Sequence, residues 1–177
     1  MKLVVLLLFI SLGNSITEVD EVRNAFPEIT SIEQANYFIK LLAKNETVEA
    51  KSYTAVMFFM KSKLAKFPLT KYNYFKKGKK QLDGLIKSNK NNVEHRYLRF
   101  LLQSEMPKFL GYYKNIEADY LLIINGIESS KLNKYFKIKI LNKILLISKL
   151  SADKSKQIKQ KLIKIRVTNQ FIIQIQI

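Results

Sequence analysis

The sequence of 177 residues contains no cysteine, no tryptophan and one histidine, His95. Absence of cysteine excludes disulfides, thiolate zinc sites, iron–sulfur clusters and cysteine nucleophiles, and one imidazole cannot build a multi-histidine metal site. No catalytic, cofactor-binding or metal-ligating residues are therefore expected, and the chain reads as a non-enzyme. Glycine (5) and proline (3) are scarce, which disfavours turn-rich sandwiches, barrels and Gly-rich phosphate loops. Acidic residues are few as well, 14 against 31 Lys plus Arg, for a formal net charge of +17. What is present is 47% hydrophobic and 25% charged residues in a chain of one-domain length, enough apolar content to bury a core. The reading is an all-α fold of helical hairpins.

Residues 1–15 carry the marks of an export signal. Met1 and Lys2 make a short positive start, Leu3 to Leu12 are almost wholly apolar, and Gly13-Asn14-Ser15 supplies small residues for cleavage. The apolar run is far below the roughly 20 residues of a membrane-spanning helix, so no transmembrane anchor is expected after cleavage. The acidic stretch Thr17, Glu18, Asp20, Glu21 follows. A domain over 16–166 and a tail over 167–177, extended or disordered because it alternates Gln and Ile, complete the expected organisation.

Along the mature chain, Val19, Val22 and Phe26 mark a short amphipathic helix ended by Pro27. Ser31-Ile32-Glu33-Gln34 has the form of a capping box opening a helix to about Lys44. Tyr53, Val56, Met57, Met60 and Leu64 form one apolar stripe of a long helix over 48–66. After Phe67-Pro68, a second stripe of Phe75, Gly78, Leu82, Leu85 and Ile86 lies opposite Lys76, Lys77, Lys79, Lys80 and Lys87, and the two helices should pack as an antiparallel hairpin. Val93 opens a helix with Tyr97, Leu98, Leu101 and Leu102 inward, interrupted at Met106-Pro107, and 108–113 read as a packed turn. Asn115 should cap a helix closed by Asn125-Gly126. Ser129 or Ser130 should start the next, with Leu132, Phe136, Ile140, Ile144 and Ile147, and Ser151 the last, with Ile158, Leu162 and Ile165.

The spacing Gly78-x3-Leu82-x2-Leu85-x4-Lys90-Asn91-Asn92 resembles the second helix and exit turn of a tetratricopeptide repeat, and Tyr53-x2-Val56-Met57-x2-Met60 its first helix. Lys90 stands where that repeat has proline. The resemblance implies a degenerate unit in a tetratricopeptide-like array or irregular bundle. The stretches Tyr74-Phe75-Lys76-Lys77-Gly78-Lys79-Lys80, Asn91-Asn92-Val93-Glu94-His95-Arg96-Tyr97-Leu98-Arg99 and Pro107-Lys108-Phe109-Leu110-Gly111-Tyr112 resemble a family of small uncharacterised exported proteins of Bacteroidota-type bacteria. That resemblance spans about residues 20 to 165. It implies an exported all-α protein, periplasmic or extracellular, and no site residues.

Two sets of residues point to partners. Tyr72, Tyr74, Tyr112 and Tyr113, with Arg96 and Arg99, are candidates to line a groove for a protein or peptide, the arginines by gripping a carboxylate. The plainer expectation pairs Arg96 and Arg99 with Glu94, Glu105 or Asp83 and places the tyrosines at the core's edge. From Lys131 to Arg166, twelve cations face only Asp153, a local balance of +11. Lys137, Lys143, Lys154, Lys159, Lys161 and Lys164 are thus candidates to contact anionic lipid or polysaccharide of the cell envelope, the alternative function. With 27 lysines and only four arginines, the charge also fits an AT-rich genome, and nucleic-acid recognition is not expected. His95 beside Glu94 reads as a surface or packing residue. A carboxylate enzyme such as a glycosidase would need two acids across a cleft, drawn from Glu94, Glu105, Glu117 and Asp119.

Overall fold

The computed structural model describes residues 16–147 and 150–167. Among the described residues the fold is all-α: α1 (Glu18–Ala25), α2 (Ile32–Leu41), α3 (Val48–Leu64), α4 (Pro68–Ser88), α5 (Val93–Glu105), α6 (Ile116–Gly126), α7 (Lys134–Leu145) and α8 (Ala152–Val167), with 3-10 turns at Leu42–Lys44 and Lys108–Leu110. The expected export signal and nearly all of the Gln-Ile tail lie outside the described residues. No described helix is long and apolar enough to cross a membrane.

The helix starts follow local chemistry. Thr17, Ser31, Thr47, Asn92 and Asn133 each accept a hydrogen bond from the backbone N–H three residues on, satisfying a donor that the first helical turn leaves free. The capping box at Ser31 is displaced by one residue. Gln34 Oε1 accepts from the Thr30 N–H at 3.0 Å instead of returning to Ser31.

α3 is the centre of the molecule. It packs antiparallel to α4, while α5 and α6 form a second antiparallel pair. The stripe anticipated on α3 accounts for four of its ten buried residues, because Ala55, Phe58 and Phe59 are buried as well as Tyr53, Val56, Met57 and Met60, while Leu64 is only partly buried. Tyr53 meets Phe26 of α1, whereas Phe59 meets Phe75 of α4. A helix with partners on both sides loses the amphipathic signature that reveals a surface helix. The α3–α4 crossing is close enough that a Cβ on Gly78 would stand 2.8 Å from Phe59 Cδ2 and 2.9 Å from the Ala55 carbonyl oxygen. On α4, Phe75, Gly78, Leu82 and Ile86 are buried, and Lys76, Lys77, Lys80 and Lys87 face water.

Asn115 precedes α6 as expected, but its side chain makes no capping hydrogen bond; its Oδ1 accepts from Gln103 Nε2 at 3.5 Å. Two boundaries also differ from the sequence expectation. Gly126 is the last residue of α6 and not the left-handed residue beyond it; a Cβ there would lie 3.0 Å from Val93 Cγ2, so its smallness serves the approach of α5. Ser129 and Ser130 do not start α7. Their hydroxyls donate to the Gly126 and Ile127 carbonyls and so finish α6, and Asn133 caps α7 instead. The core continues through Tyr97, which meets Phe136 edge-on, to Ile158, Leu162 and Ile165 of α8.

Candidate functional site

One cleft gathers apolar side chains that the core does not cover. The end of α3 contributes Phe59 and Met60, the start of α4 Pro68, Tyr72 and Phe75, the end of α5 Leu102 and Met106, and the following turn Pro107, Phe109 and Leu110. Its volume is about 560 Å³, within the range of ligand-binding clefts, and its lining is mostly apolar, as such clefts usually are. The floor is held from behind: Tyr112 stacks on Phe59 (centroids 5.6 Å apart, planes 13° apart) and meets Phe75 edge-on at 5.8 Å. Tyr112 is buried, and its hydroxyl donates to Asp83 at 3.0 Å. Burial first, and then the Asp83 carboxylate, push its pKa well above the usual tyrosine range. The edge of the cleft is bare. Phe109 is 87% exposed, so the turn at 108–113 is packed through Leu110 and Tyr112 but not, as expected, through Phe109, and Tyr72 is half-exposed.

The other tyrosines are placed elsewhere. Tyr74 lies against Phe58 at 6.4 Å and under the Lys61 ammonium at 4.4 Å. It does not line the cleft, and neither does the half-exposed Tyr113.

Arg96 and Arg99 converge on one carboxylate. Arg99 gives Asp119 two hydrogen bonds, Nε to Oδ2 at 2.7 Å and Nη2 to Oδ1 at 2.8 Å, and Arg96 Nη1 adds a third at 2.8 Å. Arg96 also donates twice to the Lys90 carbonyl, and Arg99 reaches Asp83 at 3.5 Å. Of the three partners anticipated, only Asp83 is used. Glu94 and Glu105 are bound to other cations, and the antiparallel run of α6 carries Asp119 against α5. Burial works against the charge of Arg99, but the hydrogen bonds and charge of Asp119 outweigh it and raise its pKa. Both guanidinium groups are thus occupied within the fold.

The other acids are likewise gripped by cations or a phenol. Glu94, 2% exposed, receives Arg23 Nε and Nη2 at 2.7 Å each and the Tyr53 hydroxyl at 2.9 Å. Glu105 pairs with Lys63 at 3.4 Å and Glu117 with Lys154. Among the described residues no group of three or more acids and His is placed to hold a metal ion. His95 is fully buried, and neither ring nitrogen has a hydrogen-bond partner among the described residues. Burial lowers its pKa against the opposing pull of Glu49 and Glu94.

The lysines of α7 and α8 do not form a free cationic face. Lys143 pairs with Glu28, Lys154 with Glu117, and Lys161 and Lys164 with Glu128. Lys137 donates to the Glu128 carbonyl at 2.7 Å. Of the six candidates, Lys159 alone is exposed with no partner among the described residues. These acids come from α6, its exit turn and the loop after α1, which a local charge count does not see.

The sequence singled out Tyr72 of the cleft and Tyr112 behind it but neither Met60, Met106 nor the exposure of Phe109. The only signal there was Met106-Pro107 ending a helix next to an aromatic residue. No protein-family model, curated protein or solved structure matches the chain.

Proposed function

We propose that the protein is an exported, non-enzymatic helical protein whose work is to bind a protein or peptide partner, seated in the cleft between α3, α4, α5 and the turn at 108–110. The observation that carries this reading is an apolar cleft with a fixed floor and uncovered aromatic edges, Phe109 and Tyr72. Exposed aromatic side chains around an apolar hollow are the usual composition of a recognition surface. Export rests on the charged, apolar and small-residue pattern of 1–15, and the periplasm or exterior is its compartment. The long α3–α4 hairpin followed by the α5–α6 pair is the part of the fold that a tetratricopeptide-like unit would occupy, and membership of the Bacteroidota-type exported family rests on the motifs between Phe75 and Tyr112.

The alternative, an envelope-binding protein using Lys137, Lys143, Lys154, Lys159, Lys161 and Lys164, is the weaker proposal. Four of these lysines are already paired with carboxylates, so anionic lipid would have to displace those partners.

Photo-cross-linking in the cells that make the protein tests the reading. A benzophenone side chain in place of Phe109 should trap a discrete protein adduct, and one in place of Lys159 should not. An adduct at position 159 and none at 109 would move the contact to the C-terminal helices.

A further inference from the structure

We infer that the partner segment seated in the cleft is acidic, carrying one or two apolar anchor side chains flanked by Asp or Glu. This rests on the peptide-binding reading and names the chemistry of its ligand. The charge around the cleft is the warrant. Lys63 and Lys71 stand in its wall, and the exposed Lys66 and Lys108 occupy the turns that border it. Glu105 is the one acid of the lining and is paired with Lys63. Lys66, Lys71 and Lys108 make no ion pair among the described residues, in contrast to Lys143, Lys154, Lys161 and Lys164 of α7 and α8. The start of α4 adds to the same field. Pro68 lies in the cleft wall, and this first turn has neither a side-chain cap nor an acidic residue, so the positive end of the helix dipole is not offset there.

The same charges decide between occupants. In a symmetric dimer through this face the four lysines would meet their own copies, on a chain whose net charge is +17. A basic segment would meet the same repulsion. An acidic segment gains on both counts: its apolar side chains cover Phe109 and the floor, and its carboxylates find cations with no competing partner. The floor is already assembled by the Phe59, Phe75 and Tyr112 stack, so binding need not rearrange it.

The test is selection of random peptides of about 12 residues on the purified protein, followed by affinity measurement with the synthetic winners. The enriched peptides should combine aromatic or aliphatic residues with net negative charge. Charge reversal at Lys71→Glu together with Lys108→Glu should weaken them about tenfold or more, and raising salt to about 0.3 M should do the same in the unaltered protein. Phe109→Ala should weaken them too, while Lys156→Glu with Lys159→Glu on α8 should leave them unchanged. Circular dichroism of each variant checks that the fold is kept. Peptides that need Phe109 but are neutral or basic overturn the acidic chemistry and leave peptide binding standing. Failure to enrich any peptide that depends on Phe109 overturns peptide binding at the cleft altogether. Concentration-dependent dimerisation abolished by Phe109→Glu would assign the cleft to a second copy and overturn the proposal.

Discussion

Arg23 in α1 and Glu94 in α5, 71 positions apart in the chain, meet in two hydrogen bonds of 2.7 Å each. Tyr53 of α3 completes the shell of the carboxylate, and the Arg23 guanidinium also lies 5.2 Å from the centroid of the Phe136 ring of α7. Burial opposes the charge of Arg23, but its hydrogen bonds to Glu94 outweigh this and raise its pKa. One ion pair therefore ties the short first helix to the middle of the molecule.

Removing one side of that pair leaves a buried charge unmatched. Arg23→Ala should cost about 3–5 kcal/mol in urea denaturation, whereas replacing both partners with apolar residues, Arg23→Met with Glu94→Leu, should cost less than either single change. Additive losses in the double variant would show that the two groups act independently.

Two helical glycines of α4 should respond in opposite directions to the same substitution. At Gly84 a Cβ meets nothing within 4 Å, so Gly84→Ala should stabilise by about 0.5–1 kcal/mol through helix propensity. At Gly78 the Cβ would press on the Ala55 carbonyl, which is backbone and cannot move aside alone. Gly78→Ala should destabilise by about 1–3 kcal/mol despite its better propensity. Thermal melts of the two variants supply the comparison.

His95 makes stability depend on pH. Its folded pKa lies below the ordinary value because burial disfavours the imidazolium, so the unfolded chain binds the proton more readily. The stability it contributes is full above about pH 6.5, the unfolded value, and falls as pH drops through the lower folded value. Glu49 and Glu94 moderate the effect without reversing it. Because the ring makes no hydrogen bond to the described residues, His95→Leu should flatten the stability profile between about pH 7 and 5 at little cost at neutral pH. An unchanged slope in that variant would place the titration elsewhere.

Much of the fold was legible because helix ends are written locally. Ser31 caps where a short polar residue precedes an apolar period, Val93 opens α5 directly after the polar break at 88–92, and Pro68 follows the turn that ends α3. The exceptions at the end of α6 have one cause. Gly126, Ser129 and Ser130 carry residue types that serve either end of a helix, and only the position of Val93 and of the α6 carbonyls decides which. The site was less legible for a related reason. Tyr72 and Tyr112 are conspicuous by type, but the cleft is assembled from the ends of three helices, and neither the period of α3 nor that of α5 shows that Met60 and Met106 line one cleft. Likewise Asp119, named in the sequence only among the acids a carboxylate enzyme would need, anchors Arg96 and Arg99 of the neighbouring helix.

Methionine methyl resonances offer the most direct reading of the central claim, that the cleft is the partner's seat. The chain has four methionines, and three lie among the described residues: Met60 and Met106 line the cleft, while Met57 is fully buried and does not line it. Titration of the ¹³C-methyl-labelled protein with a selected acidic peptide should shift Met60 and Met106 saturably and leave Met57 in place. Saturable binding of that peptide with Met60 and Met106 unmoved would contradict the assignment of function to this cleft.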